Sequence, residues 1–328
     1  MRAPRPGMDG IGPRLRPGRV TVDRPTVSIG IPVYNGGPFF EACLEAVAAQ
    51  TFTDFEVVIS DNASTDGTPD VARSFVDRDP RFRYVRFERN RGAAANWNRV
   101  VELATGRYFR WLAADDLIAP TYLERCVAVL DTEPDVVLVT PQVRLIDLDG
   151  KPLQRIPGTN RLVAPHGETK TAPRAPTTGL ASRSALRRFR SVVLYVTDSG
   201  LAAYDMSLMR MDALRSTILV EPYVGSEKVK LAQLSLIGRF ALVSEPLYSW
   251  RIHAGHMGSK SPAEATRGLD PTWTGRFPLM GPRQIRGYLR AVREAKVDPI
   301  TKLGCLAVIL EKVPRGVWSQ YGRRILGR

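Results

Sequence analysis

Two adjacent aspartates, Asp115 and Asp116, close the apolar and aromatic run "RYFRWLAADDLIAP" at residues 107–120. Carboxylates are hard oxygen ligands, and such a pair suits Mg²⁺ or Mn²⁺ whose shell is completed by water and substrate phosphates. Two like charges side by side cost free energy unless a partner compensates them. The simpler alternative for Asp116 is that it begins the turn ahead of Pro120. A second acidic cluster, "SDNASTDGT" at 60–68, places Asp61 at the end of an apolar run and Asp66 in a polar turn. Asp, Asn, Ser and Gly build any turn, but a carboxylate at a strand end can also accept the imino N–H of a pyrimidine.

The elements that must position these groups are readable from periodicity. "TVSIGIPVY" alternates Val27, Ile29, Ile31 and Val33 with small residues, the pattern of a buried strand. "FEVVIS" (55–60), "RFRYVRFE" (81–88), "RYFRWLA" and "DVVLVTPQVRLID" read as further strands. Between them, helices are predicted after Pro38, over "TPDVARSFV", over 92–104 and over "PTYLERCVAVLDTEP". In the last of these, Leu123, Cys126, Val127 and Leu130 share one face. The alternation predicts an α/β protein with a mostly parallel sheet and helices on both faces. Ligands of such sheets sit beyond the carboxyl ends of the strands, so Asp61 and Asp115–Asp116 should face one crevice. No GxGxxG or GxxxxGK[ST] follows the first strand, which argues against a dinucleotide dehydrogenase or a P-loop enzyme.

Further along, 151–178 is Pro- and Thr-rich without a period and reads as a long mobile loop. Helices are expected near 182–191, 199–215 and "GSEKVKLAQLSLIG", with strand character in "RFALVSEPLYSWRIHAG". Residues 258–280 read as a linker and 281–328 as basic helix. The three cysteines are far apart and form no CxxC, which fits ordinary reduced thiols in a cytoplasmic setting. No apolar run approaches the roughly 20 residues of a membrane span.

The net charge of +14 is unevenly placed. Residues 1–24, a predicted disordered arm, carry +4, residues 276–328 carry +9, and the intervening 25–275 carry only +1. A near-neutral main domain argues against a nucleic-acid groove. Basic ends fit attraction to an anionic membrane surface, with a peripheral position on its inner face, or a solvated surface of an Arg-rich protein. In "VPRGVWSQYGRRILGR" (313–328), Trp318, Tyr321 and Ile325 share a helical face among arginines, as in interfacial membrane helices or a helix packed on its own domain.

Taken together, "VSIGIPVYNGGPFFEACLEAVAAQTFTDFEVVISDNASTDGT" and "NRGAAANWNRVVELATGRYFRWLAADD" resemble family 2 glycosyltransferases of the GT-A fold. The resemblance is close over about 26–130 and looser to about 256, through "YDMSLMRMDALRST", "GSEKVKLAQLSLIGRF" and "EPLYSWRIHAG". It implies a GT-A, Rossmann-like mixed sheet over 25–257, with a nucleotide-sugar half (25–150), an acceptor half (151–257) and a basic helical extension (258–328). It implies transfer of a sugar, with inversion, from a nucleotide-sugar, UDP-linked by expectation, to a hydroxyl of a glycan or lipid-linked acceptor. Pro32, Tyr34 and Asn35 match the loop bordering the base, Asp61 the aspartate that contacts uracil, and Asn90 to Gly92 the segment beside the ribose. Asp115 matches the last aspartate of the Asp-x-Asp motif, which holds Mn²⁺ or Mg²⁺ on the diphosphate. Ala113 stands where the first aspartate often is, so the metal depends more on Asp115 and Asp116. His253 resembles a late-motif histidine that approaches the metal, and Glu227 fits the carboxylate base that opens a helix of the second half. The family's acidic pair is reduced here to Glu227–Lys228, with Asp198 and Asp205 in reserve. That reduction and Ala113 keep open a catalytically degenerate relative that binds glycan or a partner.

Overall fold

A computed structural model describes residues 24–163, 167, 169–171, 178–196, 203–253, 261–275 and 280–317. Four strands, β1 (Val27–Val33), β2 (Phe55–Asp61), β3 (Phe82–Arg86) and β4 (Tyr108–Trp111), lie parallel in the order β3-β2-β1-β4. Every residue of β1 and β4 is buried, as expected of strands covered on both faces. Helices α1 (Phe40–Ala48), α2 (Thr68–Arg78) and α3 (Ala93–Leu103) supply the crossovers. The register sets Val33 beside Asp61 and Gly30 beside Trp111, so the carboxyl ends of β1, β2 and β4 share one edge.

The sheet is mixed, as the resemblance implied. Beyond β4 it continues through β10 (Leu208–Arg210), β6 (Val136–Ile146), β11 (Arg239–Arg251) and β5 (Leu117–Ile118). β10 runs antiparallel to both β4 and β6, and β5 antiparallel to β11, so the eight-stranded sheet is mixed. The predicted helix over 199–215 is interrupted by β10. Three residues are too few to establish a period, and Leu208 and Met209 enter the sheet because the gap between β4 and β6 buries both completely.

Two other expectations change. The predicted loop 151–178 contains a small antiparallel sheet of β7 (Gln154–Arg155), β8 (Arg161–Val163) and β9 (Thr169–Thr171). Its anchor is an apolar cluster of Leu145, Leu153 and Ile252, against which Leu162 packs. The predicted linker 258–280 contains a helix, Pro262–Leu269, started by a capping box between Ser261 and Glu264. The other helices are α4 (Tyr122–Thr132), α5 (Ala185–Arg190), α6 (Met211–Arg215) and α7 (Ser226–Ile237); numbering Pro262–Leu269 as α8, the chain continues with α9 (Met280–Glu294) and α10 (Pro299–Val317). α9 packs on α7, where Gly287 lets the helices approach to the Val229 side chain, and α10 packs on α9 and α5. The basic extension is thus built onto the main domain. The arm 1–23 and the tail residues Trp318, Tyr321 and Ile325 lie outside the described residues.

Candidate functional site

At the carboxyl edge, the loop after β1 is tied to the loop after β2. Pro32 is buried in β1, while Tyr34 is 50% exposed. Asn35 adopts a left-handed backbone (φ 51°), which asparagine tolerates better than most residues. Its N–H donates to Ser64 Oγ at 2.9 Å, and its Oδ1 accepts from the Thr65 N–H at 2.8 Å. The Gly36 N–H donates to Thr68 Oγ1 at 2.8 Å and the Gly37 N–H to Asp66 Oδ2 at 3.2 Å, which gives Asp66 a role in holding the loops together.

Asp61 is fully buried. Its Oδ1 accepts from the Ser64 N–H at 2.8 Å, and its Oδ2 accepts from Tyr84 Oη–H at 2.6 Å and Arg86 Nε–H at 3.2 Å. Three of about four acceptor positions of a carboxylate are therefore used by its own neighbours. Burial, with the Asp61 carboxylate next, pushes the Tyr84 phenol up. Asn62 extends the network: its N–H donates to Val33 O, its Nδ2 to Asn90 Oδ1, and its Oδ1 accepts from the Arg91 N–H. Asn90 Oδ1 also takes the Gly92 N–H at 2.8 Å. Gly92 has φ 87°, and a Cβ there would lie 2.4 Å from Leu269 O, so the end of α8 closes over this turn. Tyr34, Asn35, Asp61, Asn90 and Gly92 thus belong to one connected edge.

The two adjacent aspartates separate. Asp116 is 2% exposed and turned inward: it accepts from Tyr248 Oη–H and, at 2.8 Å, from the Arg251 N–H. Burial, reinforced by the Asp115 charge, pushes its carboxyl up to about 8. Asp115 keeps its side chain 25% exposed, and its Oδ2 lies 2.7 Å from Nε2 of His253. The turn is anchored by Arg251, whose Nε–H donates to Asp115 O and whose Nη1 donates to Asp147 O and Leu148 O, all within 2.9 Å. Its guanidinium also stacks on Phe39, which touches the His253 ring at 5.3 Å between centroids. Two part-exposed donors converging at 2.7 Å match adjacent ligands of one octahedral ion, which stand about 3 Å apart. Among the described residues no group of three His, Cys, Asp or Glu converges, because Asp116 points away.

Glu227 lies in the first turn of α7 and is half-buried. Its Oε2 accepts from the Gly225 N–H at 3.1 Å. Gly225 has φ 94°, and a Cβ there would strike the Gln284 amide of α9. Burial, followed by the charge of Asp205, pushes the Glu227 carboxyl up to about 7, with Lys230 and Lys228 opposing. Asp205 Oδ1 forms an ion pair with Lys230 Nζ at 2.5 Å. Lys230, itself fully buried, stands 3.9 Å above the Trp111 ring. The loop entering α7 is tied to α3 by Asn98, which exchanges two hydrogen bonds with the Val220 backbone.

Tyr84, Arg86, Tyr248, Arg251 and Lys230 were not singled out by sequence reasoning. Arg251 is two residues from His253, but nothing in the chain announces that it grips a turn 136 residues away. Asp198 lies outside the described residues.

The model of Glycosyl transferase family 2 matches residues 28–194. The chain is 34% identical over 126 residues to chondroitin synthase of Escherichia coli, covering 38% of this chain and 18% of that protein. It spans about a third or less of the length of the first curated relatives it matches. Staphylococcus aureus TarS 1-349, solved in complex with UDP, shares the fold: TM-score 0.57 at 16% identity, over 90% of this chain and 72% of that one. So does the mannosyltransferase PcManGT from Pyrobaculum calidifontis, solved with GDP-Man and Mn²⁺: TM-score 0.53 at 17% identity, over 94% and 77%. The mixed sheet flanked by helices is the GT-A glycosyltransferase fold. With a family model covering half of its length and the matching sheet, the chain belongs to glycosyl transferase family 2.

Proposed function

We propose that the protein is an inverting glycosyltransferase that moves a sugar from a nucleotide-sugar to a hydroxyl of a glycan or lipid-linked acceptor. The observation that carries this reading is the pairing of Asp115 with His253 just past the carboxyl end of β4, with the half-buried Glu227 at the opening of α7. Pro32, Tyr34, Asn35, Asn90 and Gly92 border the nucleotide. Asp61 holds Tyr84 and Arg86 at the base-binding end rather than lying open to the base. UDP is the first nucleotide to test, because TarS, similar in fold, was solved with UDP, and GDP follows because PcManGT was solved with GDP-Man.

Asp115 and His253 would hold a divalent cation, and PcManGT, similar in fold, was solved with Mn²⁺. When bound, Mn²⁺ or Mg²⁺ stabilises the diphosphate that leaves. Asp116 supports the site from behind, by fixing the Arg251 backbone and the Tyr248 hydroxyl. Glu227 takes the proton of the attacking acceptor hydroxyl. A carboxyl held near 7 is poised for that transfer, since a base works best with its pKa near the operating pH. The basic ends would bring the enzyme to an anionic membrane surface.

Calorimetry with UDP, with and without Mn²⁺, tests the reading. Metal-dependent binding that disappears in Asp115→Ala is expected, followed by turnover of a UDP-sugar. No binding to UDP, dTDP or GDP would overturn it. Metal-dependent binding without turnover of any donor, unchanged in Glu227→Gln, would favour a non-catalytic glycan-binding relative, which Ala113 and the single Glu227 acid motivate.

A further inference from the structure

The helix α10 inverts the usual surface pattern. Cys305, Val308 and Ile309 are buried against the domain. Yet the residues on its opposite side are also apolar: Ile300 is 81% exposed, Leu303 67%, Leu306 36% and Leu310 71%, with Ala307 among them. At 100° per residue these five positions fall within about 120° of arc. From Ile300 to Leu310, every exposed residue of the helix is apolar. The flanks are cationic. Over 280–312 there are seven Lys or Arg and three acids, with Arg286, Arg290, Arg293 and Lys296 exposed beside the half-exposed Leu289.

We propose that this α9–α10 face docks the protein on an anionic lipid bilayer, with Ile300, Leu303, Leu306 and Leu310 entering the headgroup–acyl boundary. An exposed aliphatic stripe on a helix pair of net positive charge matches a surface that is apolar beneath and negative above. A single-helix stripe offers a few hundred Å², short of the roughly 800 Å² per partner that a stable protein interface buries, which disfavours a second copy as occupant. None of the helices among the described residues is long and apolar enough to cross a membrane, so the contact is one of lying on the surface. This deepens the membrane contact proposed above by placing it on α10 rather than on the outermost residues of either end.

The test is co-sedimentation of the full chain with vesicles of phosphatidylcholine alone or with added phosphatidylglycerol, at low and high salt, with UDP binding measured in parallel. The wild type should bind anionic vesicles more strongly and release them in salt. The double variant Leu303→Glu/Leu310→Glu should lose about tenfold or more in partition while binding UDP as before. Both positions are exposed, so folding should survive, and unchanged UDP binding reports that it has. Equal partition of variant and wild type would overturn the proposal and assign the contact to the basic ends. No wild-type binding would overturn the membrane reading as well. A wild-type dimer by light scattering that the variant abolishes would identify the face as a protein interface instead. A wild type that partitions onto vesicles but binds none of UDP, dTDP and GDP would sink the donor-site reading without touching this one.

Discussion

Along the β1–β4 edge, Asp61 accepts from Ser64, Tyr84 and Arg86, and Asn62 and Asn90 share four further hydrogen bonds with that edge. At the opening of α7, Glu227 accepts the Gly225 N–H, while burial and the charge of Asp205 disfavour its ionised form. The first arrangement satisfies its charge and fixes geometry. The second leaves a carboxylate short of support, so that its proton is exchangeable near neutrality. A surface that binds a nucleotide gains from rigidity, because less order is lost on binding. A group that moves a proton needs a carboxyl poised between its two states. The contrast repeats on a smaller scale within one dipeptide: Asp115 is part-exposed with His253, and Asp116 is buried with Tyr248 and Arg251.

The sharpest way to break the comparison is Glu227→Gln. Turnover should fall by about 10²–10⁴-fold with UDP affinity unchanged, measured by donor consumption and calorimetry. In the wild type, kcat/KM should rise with pH through about 7 as Glu227 loses its proton, and this limb should vanish in the variant. Asp115→Asn should affect the other side: metal-dependent UDP binding should weaken by about tenfold or more, with the protein as stable as before.

Arg251→Met removes the buried guanidinium that serves three carbonyls. Leaving those acceptors unpaired should cost about 3 kcal/mol in urea unfolding, with metal-dependent binding lost alongside. Stability against pH gives a smaller effect with a defined sign. Glu227 has a folded value of about 7, above that of an unfolded glutamate, so its contribution is present at low pH and is lost as pH rises through 7. Glu227→Gln should therefore raise the unfolding free energy by about 1–2 kcal/mol at pH 8 and leave it nearly unchanged at pH 4. Gly92→Ala, which combines a left-handed backbone with a 2.4 Å approach to Leu269 O, should cost about 1–2 kcal/mol by the same measurement.

Much of the first half was legible because its signals are local. Alternating Val27–Val33, the helix face of Leu123 to Leu130 and the strand-end aspartates each occupy one short window. The second half was harder. β10 is three residues long, the β7–β9 sheet is anchored by Ile252 just past the end of β11, and α8 begins inside a Gly- and Pro-rich stretch. None of these has a period that a single window can register.

The chain by itself determined the parallel β1–β4 core, the identity of the chemical groups at its carboxyl edge and the basic character of both ends, because composition and periodicity act over neighbours. Only the tertiary structure decided which of two adjacent aspartates meets His253 and which is buried, because that depends on β11 arriving beside β5 and β6 with Tyr248 and Arg251 in register. It likewise decided how readily Glu227 gives up its proton. Burial under α9 and the nearness of Asp205 are long-range facts, and a carboxyl's charge responds to its surroundings in space rather than to its neighbours along the chain.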